Sequence, residues 1–346
     1  GEVDGASLDI SGDADIDGTT NLDIVDVDGA VNFAADVTYA DGADIITASA
    51  GTSNVRVGVN AGNSIASGSQ YNVVIGDEAG TAITTGDQNV AIGFEALKTE
   101  DTGSRNTAIG AYTLNVLNND ALSYNTAMGY AAGLSISTGI QNTIVGGLAG
   151  DAITTGDNNT AVGYLALSTE DASDRSTAVG YRALSTQNSG DAIAGNTAVG
   201  YDAGFAITTG IENTLMGYAA GDALTEGDDN IAIGRWALSG DTKGSNSTAI
   251  GYNSLGNQDF TTATDTYNTA VGHSAGAAVT TGAWNTIIGG TTGDALTTGQ
   301  ENVAFGYSAL STDTQGSHTT AIGKDALFSQ NFTTATDSYN TAVGFS

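Results

Sequence analysis

The side chains that could do chemistry in this 346-residue chain are its carboxylates and its two histidines. His273 and His318 each occupy a position that recurs along the chain and elsewhere holds tyrosine or arginine, so we interpret both as substitutions within a repeat. The acidic residues recur in the same way, and none marks a unique carboxylate pair of the kind that cleaves glycosidic bonds. The chain has no cysteine, which excludes thiolate nucleophiles and thiolate metal sites. We therefore predict that the protein is not an enzyme, with polysaccharide cleavage as the enzymatic alternative.

An acidic stretch near the N-terminus could bind a metal ion. Asp13, Asp15, Asp17 and Gly18 match the start of a calcium loop, in which alternating oxygen ligands converge on the ion. The twelfth position of such a loop needs a bidentate glutamate, but Ile24 stands there. We interpret the stretch as the solvated face of an acidic strand, with a calcium site as the alternative, and predict no other cofactor.

Two charged pairs recur with the same spacing. Glu100 precedes Arg105 by five residues, and Glu170 precedes Arg175 in the same way. Each pair could form a salt bridge across a loop, or its members could be separately solvated. An exposed bridge would contribute at most about 1 kcal/mol.

The net charge of −31 comes from 39 acidic and 8 basic residues. A polyanion of this kind repels phosphates and anionic membrane surfaces, so we predict no nucleic-acid partner. No stretch approaches the roughly 20 apolar residues that a membrane-spanning helix needs, so we predict no membrane insertion.

A short motif organises most of the chain. It reads Asn-Thr-Ala-Val-Gly at 196–200 and recurs in 17 copies, mostly 17 residues apart, with every fourth interval lengthened to 19–21 residues. The motif is rich in β-branched residues with a period of two, which predicts short strands and excludes a helix. The motif glycines are Gly58, Gly76, Gly93, Gly110, Gly129, Gly146, Gly163, Gly180, Gly200, Gly217, Gly234, Gly251, Gly272, Gly289, Gly306, Gly323 and Gly344.

Alternation within the motif assigns its residues to two faces of a strand. The positions three and one residues before the glycine are Thr, Val, Ile, Met or Phe in every copy. We expect these to point into the core. The position between them is mostly alanine, which suggests that another layer or chain approaches closely there, with a bare exposed alanine as the alternative.

The position four residues before the glycine is asparagine in 14 copies. Stacked one turn apart, these amides are expected to form a ladder at a corner. The motif glycines, among them Gly93, Gly129, Gly200, Gly272 and Gly344, are expected to relieve a tight bend after the strand. The predicted ladder includes Asn89, Asn142, Asn196, Asn213 and Asn285.

A longer period appears four residues after the glycine, where the sixteen complete turns read Gly, Gly, Leu, Leu four times over. The repeating unit is therefore four turns, or 71 to 72 residues. Together these patterns predict an all-β, parallel β-solenoid or β-roll over residues 51–346. At about 4.8 Å per turn it would be a rod of roughly 80 Å. Residues 1–50 alternate aliphatic with acidic residues and are predicted to be a strand-rich connector.

The fourth turn of each unit carries a long loop that could serve recognition. The last two loops share the sequence Phe-Thr-Thr-Ala-Thr-Asp, at 260–265 and 332–337. Loops on a rigid scaffold often bind partners, but near-identical loops favour packing over the coil or against a neighbouring chain. The candidate residues are Phe260, Thr261, Thr262, Phe332, Thr333 and Thr334.

These repeats resemble those of known fibres. Asn-Thr-Ala-Val-Gly-Tyr-Asp-Ala-Gly at 196–204, with Thr-Thr-Gly at 208–210, is similar to shaft repeats of bacteriophage tail fibres, especially marine ones. The segments 7–13 and 18–22 resemble those that precede such shafts. The strand motif also resembles Ser-Val-Ala-Ile-Gly repeats in the heads of trimeric autotransporter adhesins, which are left-handed parallel β-rolls packed three together.

The resemblance implies a homotrimeric shaft on the virion tail that holds a receptor-binding tip away from the virion during host attachment. Its expected partners are copies of itself, other tail proteins and, through a tip absent from this sequence, a host cell-surface receptor. The alternative is an adhesin rod on a bacterial cell surface that binds directly through its fourth-turn loops.

Overall fold

The computed structural model describes residues 51–120, 122–190 and 193–346, all of which lie in one compact unit, Thr47–Ser346. The described part is all β, with 21 strands of two or three residues and no helix. The predicted parallel β-solenoid is confirmed: one three-residue strand recurs in each of 17 turns. The predicted connector, residues 1–50, lies outside the described residues.

Seventeen strands form one continuous parallel sheet, and four shorter ones form two small parallel pairs, β12 with β14 and β18 with β20. In chain order the strands are β1 Val55–Val57, β2 Val73–Ile75, β3 Val90–Ile92, β4 Thr107–Ile109, β5 Thr126–Met128, β6 Thr143–Val145, β7 Thr160–Val162, β8 Thr177–Val179, β9 Thr197–Val199, β10 Thr214–Met216, β11 Ile231–Ile233, β12 Gly244–Ser245, β13 Thr248–Ile250, β14 Thr264–Asp265, β15 Thr269–Val271, β16 Thr286–Ile288, β17 Val303–Phe305, β18 Gly316–Ser317, β19 Thr320–Ile322, β20 Thr336–Asp337 and β21 Thr341–Val343.

Each strand of the main sheet pairs with the same motif positions of the next turn. Ala178 lies beside Ala198, for example, and Val179 beside Val199. The hydrogen bonding continues around the corner, where the Gly200 amide donates to the Val179 carbonyl at 2.8 Å. Every position of the repeat therefore becomes a column of equivalent residues along the coil.

The two faces of the strand are the reverse of those predicted from the motif. The middle residue is the buried one, and Ala178 and Ala198 are completely inaccessible to solvent. The flanking residues lie on the outer face, where Met128 is 44% exposed and Phe305 52% exposed. The expectation that the larger residues form the core was therefore wrong, and the alanines do not face another chain.

The reason for this reversal is the narrowness of the coil. Leucines four residues after the glycine, such as Leu184, and aliphatic residues seven after it, such as Ile207, project inward from the corners and are fully buried. They fill the interior, so the strand facing them has room for little more than a methyl group. Close packing of protein interiors then selects alanine at the middle position.

In the second turn of each unit the large residue lies on the strand and the small residue lies at the corner. Here the middle strand residue is large, as at Ile144, and the corner residue four after the glycine is Gly150. A Cβ atom on Gly150 would lie 3.0 Å from Ile144 Cδ1 and 2.9 Å from Ile153 Cδ1, so a leucine there would overfill the core. The volume removed at the corner is supplied by the strand. The other such pairs are Val74 with Gly80, Leu215 with Gly221 and Ile287 with Gly293.

The motif glycine is required by both its backbone angle and its surroundings. Gly200 has φ of 147°, and a Cβ atom there would lie 2.2 Å from the carbonyl oxygen of Gly217 in the next turn. No side chain fits between turns that approach this closely, as expected for a glycine at a tight bend.

Replacing Ile144 by alanine should lower the free energy of unfolding by about 2–4 kcal/mol, because the cavity left opposite Gly150 cannot be refilled. Thr143→Ala, one residue away on the exposed face, should change it by less than about 0.5 kcal/mol. Chemical denaturation of both variants measures the difference. Equal losses, or a larger loss for the Thr143 variant, would show that the buried face is misassigned.

Candidate functional site: polar ladders and an outer apolar ribbon

The asparagines four residues before the motif glycine form a buried ladder. The backbone amide of Asn213 donates to Oδ1 of Asn196 at 2.8 Å, and the Asn213 side-chain amide donates to the Gly227 carbonyl at 2.9 Å. Asn89, Asn142 and Asn285 make the same turn-to-turn bond, with the asparagine one turn earlier as acceptor. Each amide thus satisfies backbone groups that the short strands leave unpaired.

The ladder changes in the fourth turn of units two to four, where serine or threonine replaces asparagine. A glutamine takes over its role: Gln187 Nε2 donates to Ser176 Oγ at 2.8 Å, and its Oε1 accepts a bond from Asn196 at 2.9 Å. The ladder therefore stays satisfied across the substitution. The equivalent sets are Ser247, Gln258 and Asn268, and Thr319, Gln330 and Asn340.

The same glutamines contact buried carboxylates from the third turn. Glu170 is fully buried, and its Oε1 accepts bonds from the backbone amides of Asp171 and Ser173, each at 3.0 Å. Its Oε2 accepts a bond from Gln187 Nε2 at 2.7 Å. Asp241 with Gln258 and Asp313 with Gln330 repeat this arrangement. Each buried carboxyl group thus has hydrogen-bond donors from neutral groups.

These buried acid–glutamine pairs were missed in the sequence, although a signal was present. The position seven residues after the motif glycine is aliphatic in the first two turns of each unit, acidic in the third and, in units two to four, glutamine in the fourth. When the turns are aligned, this position holds polar residues in two neighbouring turns, whereas in the first two turns of each unit it holds a core residue.

Glu100 and Arg105 neither form the salt bridge nor are both solvated, the two alternatives left open by the sequence. Glu100 is turned into the coil and has no solvent exposure, whereas Arg105 lies on the outside. Arg105 donates to Gln88 Oε1 at 3.0 Å and also binds the Tyr124 hydroxyl. The equivalent pair, Glu170 and Arg175, is divided in the same way between the interior and the surface.

A second ladder accounts for many of the remaining acids, which we had expected to be simply solvated. Oδ1 of Asp174 accepts the backbone amide of Asp157 at 2.7 Å, and Oδ1 of Asp157 accepts that of Ile140 at 2.7 Å. Asp87 and Asp228 bind the preceding turn likewise. These half-buried carboxylates accept hydrogen bonds from backbone amides at a corner where strand pairing stops.

The outer face of the sheet carries an apolar ribbon, which we define as the residues immediately before and immediately after each motif glycine. The first column is entirely Val, Ile, Met or Phe. Only Asp77, Arg235 and Lys324 of the 34 positions carry a charge, in a chain with a net charge of −31. The phenylalanine and tyrosine members are Phe94, Tyr130, Tyr164, Tyr181, Tyr201, Tyr218, Tyr252, Phe305, Tyr307 and Phe345, each between 39% and 73% exposed.

Rings in the ribbon stack along the coil. The ring centroids of Tyr181 and Tyr201 are 5.0 Å apart, and those of Tyr201 and Tyr218 are 5.1 Å apart, with interplanar angles of 10° and 6°. His273 belongs to the same column and stacks on Tyr252 at 5.0 Å. Its packing role agrees with its interpretation as a substitution for tyrosine.

The second histidine bridges three turns. His318 Nε2 lies 3.4 Å from Glu301 Oε2, its Nδ1 lies 3.3 Å from Asp337 Oδ1, and its ring stacks on Tyr339 at 4.9 Å. Nowhere in residues 51–120, 122–190 and 193–346 do three or more His, Asp or Glu side chains form a group able to hold a metal ion. The candidate calcium ligands Asp13, Asp15 and Asp17 lie outside the described residues.

The two similar fourth-turn loops anchor one residue and expose the next two. Phe260 is 7% exposed, and its amide donates to buried Asp241 at 3.0 Å. Thr261 and Thr262 are exposed. The later loop repeats this plan: the Phe332 amide binds Asp313 at 3.0 Å, Phe332 is half-buried, and Thr333 and Thr334 are exposed.

Gln187→Leu should lower the free energy of unfolding by about 2–3 kcal/mol, because it removes the side-chain donor to Oε2 of buried Glu170 and one of the two acceptors of the Asn196 side-chain amide. Adding Ser176→Asn recreates the Asn106–Leu117 combination of the first unit and should restore part of that loss. A double-mutant cycle measured by denaturant unfolding gives the coupling energy. Purely additive effects would contradict the proposed exchange between ladder and glutamine.

No known protein family matches this chain, and no curated protein and no solved structure matches it either. Within the described residues there is no helix long and apolar enough to cross a membrane. The geometry of the columns therefore carries the functional argument alone.

Proposed function

We propose that this chain is the structural shaft of a phage tail fibre, a rigid spacer that holds a receptor-binding tip away from the virion. The observation that carries the proposal is the unbroken parallel sheet of 17 turns, in which functional groups recur with the repeat instead of converging on one place. A spacer needs length and stiffness, and both follow from stacking alone.

Stiffness comes from several parallel sets of turn-to-turn bonds. The main sheet, the asparagine ladder and the aspartate ladder run along different columns of the coil. Bending the rod would have to stretch bonds in at least one of them. The role is therefore structural and not enzymatic.

The partner that fits the apolar ribbon is a second and third copy of the same chain. A half-exposed aromatic side chain contributes about 100 Å² of surface, so the ten phenylalanine and tyrosine members alone expose roughly 1,000 Å². The largest apolar patch on an ordinary monomer is about 300–600 Å². A standard interface buries about 800 Å² per partner, which the ribbon exceeds.

Charge favours the same surface. Most of the acidic residues lie away from the ribbon, so three copies can approach along it without bringing carboxylates together. The remaining faces stay strongly acidic, which keeps assembled rods from associating side by side. The alanine columns cannot provide this contact because they are buried within each coil.

The second candidate is an adhesin rod on a bacterial surface. It is favoured by the exposed threonine pairs Thr261–Thr262 and Thr333–Thr334, which recur one unit apart on the same type of loop. Four turns separate them by about 19 Å along the rod. Such a row could bind a repetitive ligand directly.

Light scattering should give a mass near three times the 34.4 kDa of the chain. The double variant Val179→Glu and Val271→Glu places charges in the ribbon and should yield monomers with unchanged circular dichroism. The double variant Thr262→Glu and Thr334→Glu adds the same two charges at exposed positions outside the ribbon and should leave the mass unchanged. A folded wild-type monomer would contradict the predicted trimer and favour the adhesin.

Removing one complete unit, residues 130–200, should shorten the rod by about 19 Å without loss of stability per turn. The deletion joins Gly129 to Tyr201 and keeps every turn beside its normal type of neighbour. Deleting residues 147–163 instead joins Gly146 to Tyr164, which puts Leu167 in the place of Gly150 opposite Ile144, and the overfilled core should destabilise the coil. Electron microscopy and thermal unfolding measure the two effects. Equal tolerance of both deletions would contradict the four-turn unit.

Antibodies against the repeat separate the two functions. Immunogold labelling is applied to the virus fraction and to the cells of a culture that produces the protein. Labels along virion tail fibres support the shaft. Labels confined to the bacterial surface would overturn it in favour of the adhesin.

A further inference from the structure

Four equivalent carboxyl groups are buried in the coil, one in the third turn of each unit, and the first differs from the others in its partners. Glu170, Asp241 and Asp313 each accept a bond from a glutamine side chain of the following turn. Glu100 faces Leu117, which stands where the glutamines stand. The chain therefore contains three matched controls for one unusual site.

Glu100 is held by backbone donors alone. Its Oε1 accepts the Gly103 amide at 2.7 Å, and its Oε2 accepts the Asn119 amide at 3.3 Å. The residue has no solvent exposure, and its neighbour Leu117 is also fully buried. The Asp101 backbone amide is a further donor, so the donors to Glu100 are backbone amides.

No positive charge compensates Glu100 among the groups that face it. The charged group that acts on it is the adjacent Asp101, which is acidic and raises the pKa of Glu100 further. Lys98, the closest basic residue in sequence, is bound to Glu78 and Glu95, and Arg105 points outward to its own partners.

Burial is the largest cause of a raised pKa at Glu100, which reaches about 7. The pKa of Asp241 is also raised by burial, but there the bond from Gln258 opposes the rise. Loss of the glutamine therefore removes a donor that stabilises the charged form.

We propose that Glu100 is held as the neutral carboxylic acid inside the stack, and that its ionisation selectively loosens the third and fourth turns of the first unit. Leu117 in place of glutamine makes this section of the rod sensitive to protons. In the other three units a glutamine side chain binds the equivalent carboxyl group. The third and fourth turns of the first unit are thus the section of the rod whose local stability depends on the protonation of Glu100.

The direction of the effect follows from proton linkage. The native state holds the proton of Glu100 up to about pH 7, whereas the unfolded or opened state releases it near the ordinary value of 4.5. The opened state therefore binds fewer protons in this window, and local stability falls as the pH rises through it. Below about pH 4.5 the stabilisation is complete, and above about pH 7 it is lost.

Hydrogen exchange tests the proposal on the full-length chain. Protection of the amides in residues 94–119 is divided by protection of the equivalent amides in 164–189, so that the intrinsic pH dependence of exchange cancels. Between about pH 5 and 8 this ratio should fall by up to about a hundredfold. Glu100→Gln, a neutral isostere, should abolish the fall. The pair Asn106→Ser and Leu117→Gln, which rebuilds the pattern of the later units, should also abolish it.

Glu170→Gln is the matched control and should leave the pH dependence of the 94–119 segment unchanged. Infrared difference spectra of wild type minus Glu100→Gln at about pH 6 should contain the band of a protonated carboxyl group, since nearly all surface carboxylates are ionised there. A ratio that stays flat with pH, a fall that persists in Glu100→Gln, or the absence of that band would each overturn the proposal.

Discussion

Stacking of successive turns in identical register is the constraint on which the rest of the structure depends. Because each turn lies directly on the one before it, each strand residue is paired with the residue at the same motif position of the adjacent turn. A polar group that cannot be satisfied within its own turn must then be satisfied by the equivalent position one turn away. The asparagine and aspartate ladders are two solutions to that requirement, one buried and one half-buried.

The same constraint determines how the core is filled. With only alanine at most middle strand positions, apolar burial per turn is small, and the corners supply the bulk through residues such as Leu184 and Ile207. A thin core leaves little hydrophobic stabilisation per residue, so hydrogen bonds that continue from turn to turn take a larger share. This explains why polar residues are so frequent inside the coil, including the acid–glutamine pairs.

Much of this fold can be predicted from the repeat, but the direction of its faces cannot be read from alternation alone. An alternation with a period of two predicts that Thr177 and Val179 share one face of the strand and that Ala178 lies on the other. It does not show which face is inside. Size normally decides, since larger apolar residues are usually buried. Here the decision depends on the width of the coil, which is set by corner residues outside the strand motif.

The burial of these acidic residues was not predicted from the sequence for a related reason. An acidic residue in a chain with 39 of them carries no local mark of burial. What marks Glu170 is its column, where the same position in other turns is Ile or Leu, together with Gln187 in the next turn. The partnership between neighbouring turns becomes visible only when the repeat is read down its columns as well as along the chain.

Pairing between neighbouring turns also explains why the unit has four turns. The first two turns share glycine corners, and the second compensates with a large strand residue such as Ile144 opposite Gly150. The last two share leucine corners, and in units two to four the acid of the third turn accepts a bond from the glutamine of the fourth, as in Glu170 and Gln187. Each half of the unit thus satisfies a packing or polar requirement between two neighbouring turns, and the two kinds of half alternate along the rod. Substitutions within a turn are also coupled: in the first unit Leu117 replaces glutamine and Asn106 replaces serine or threonine in the same turn, so that the asparagine ladder continues there without the glutamine.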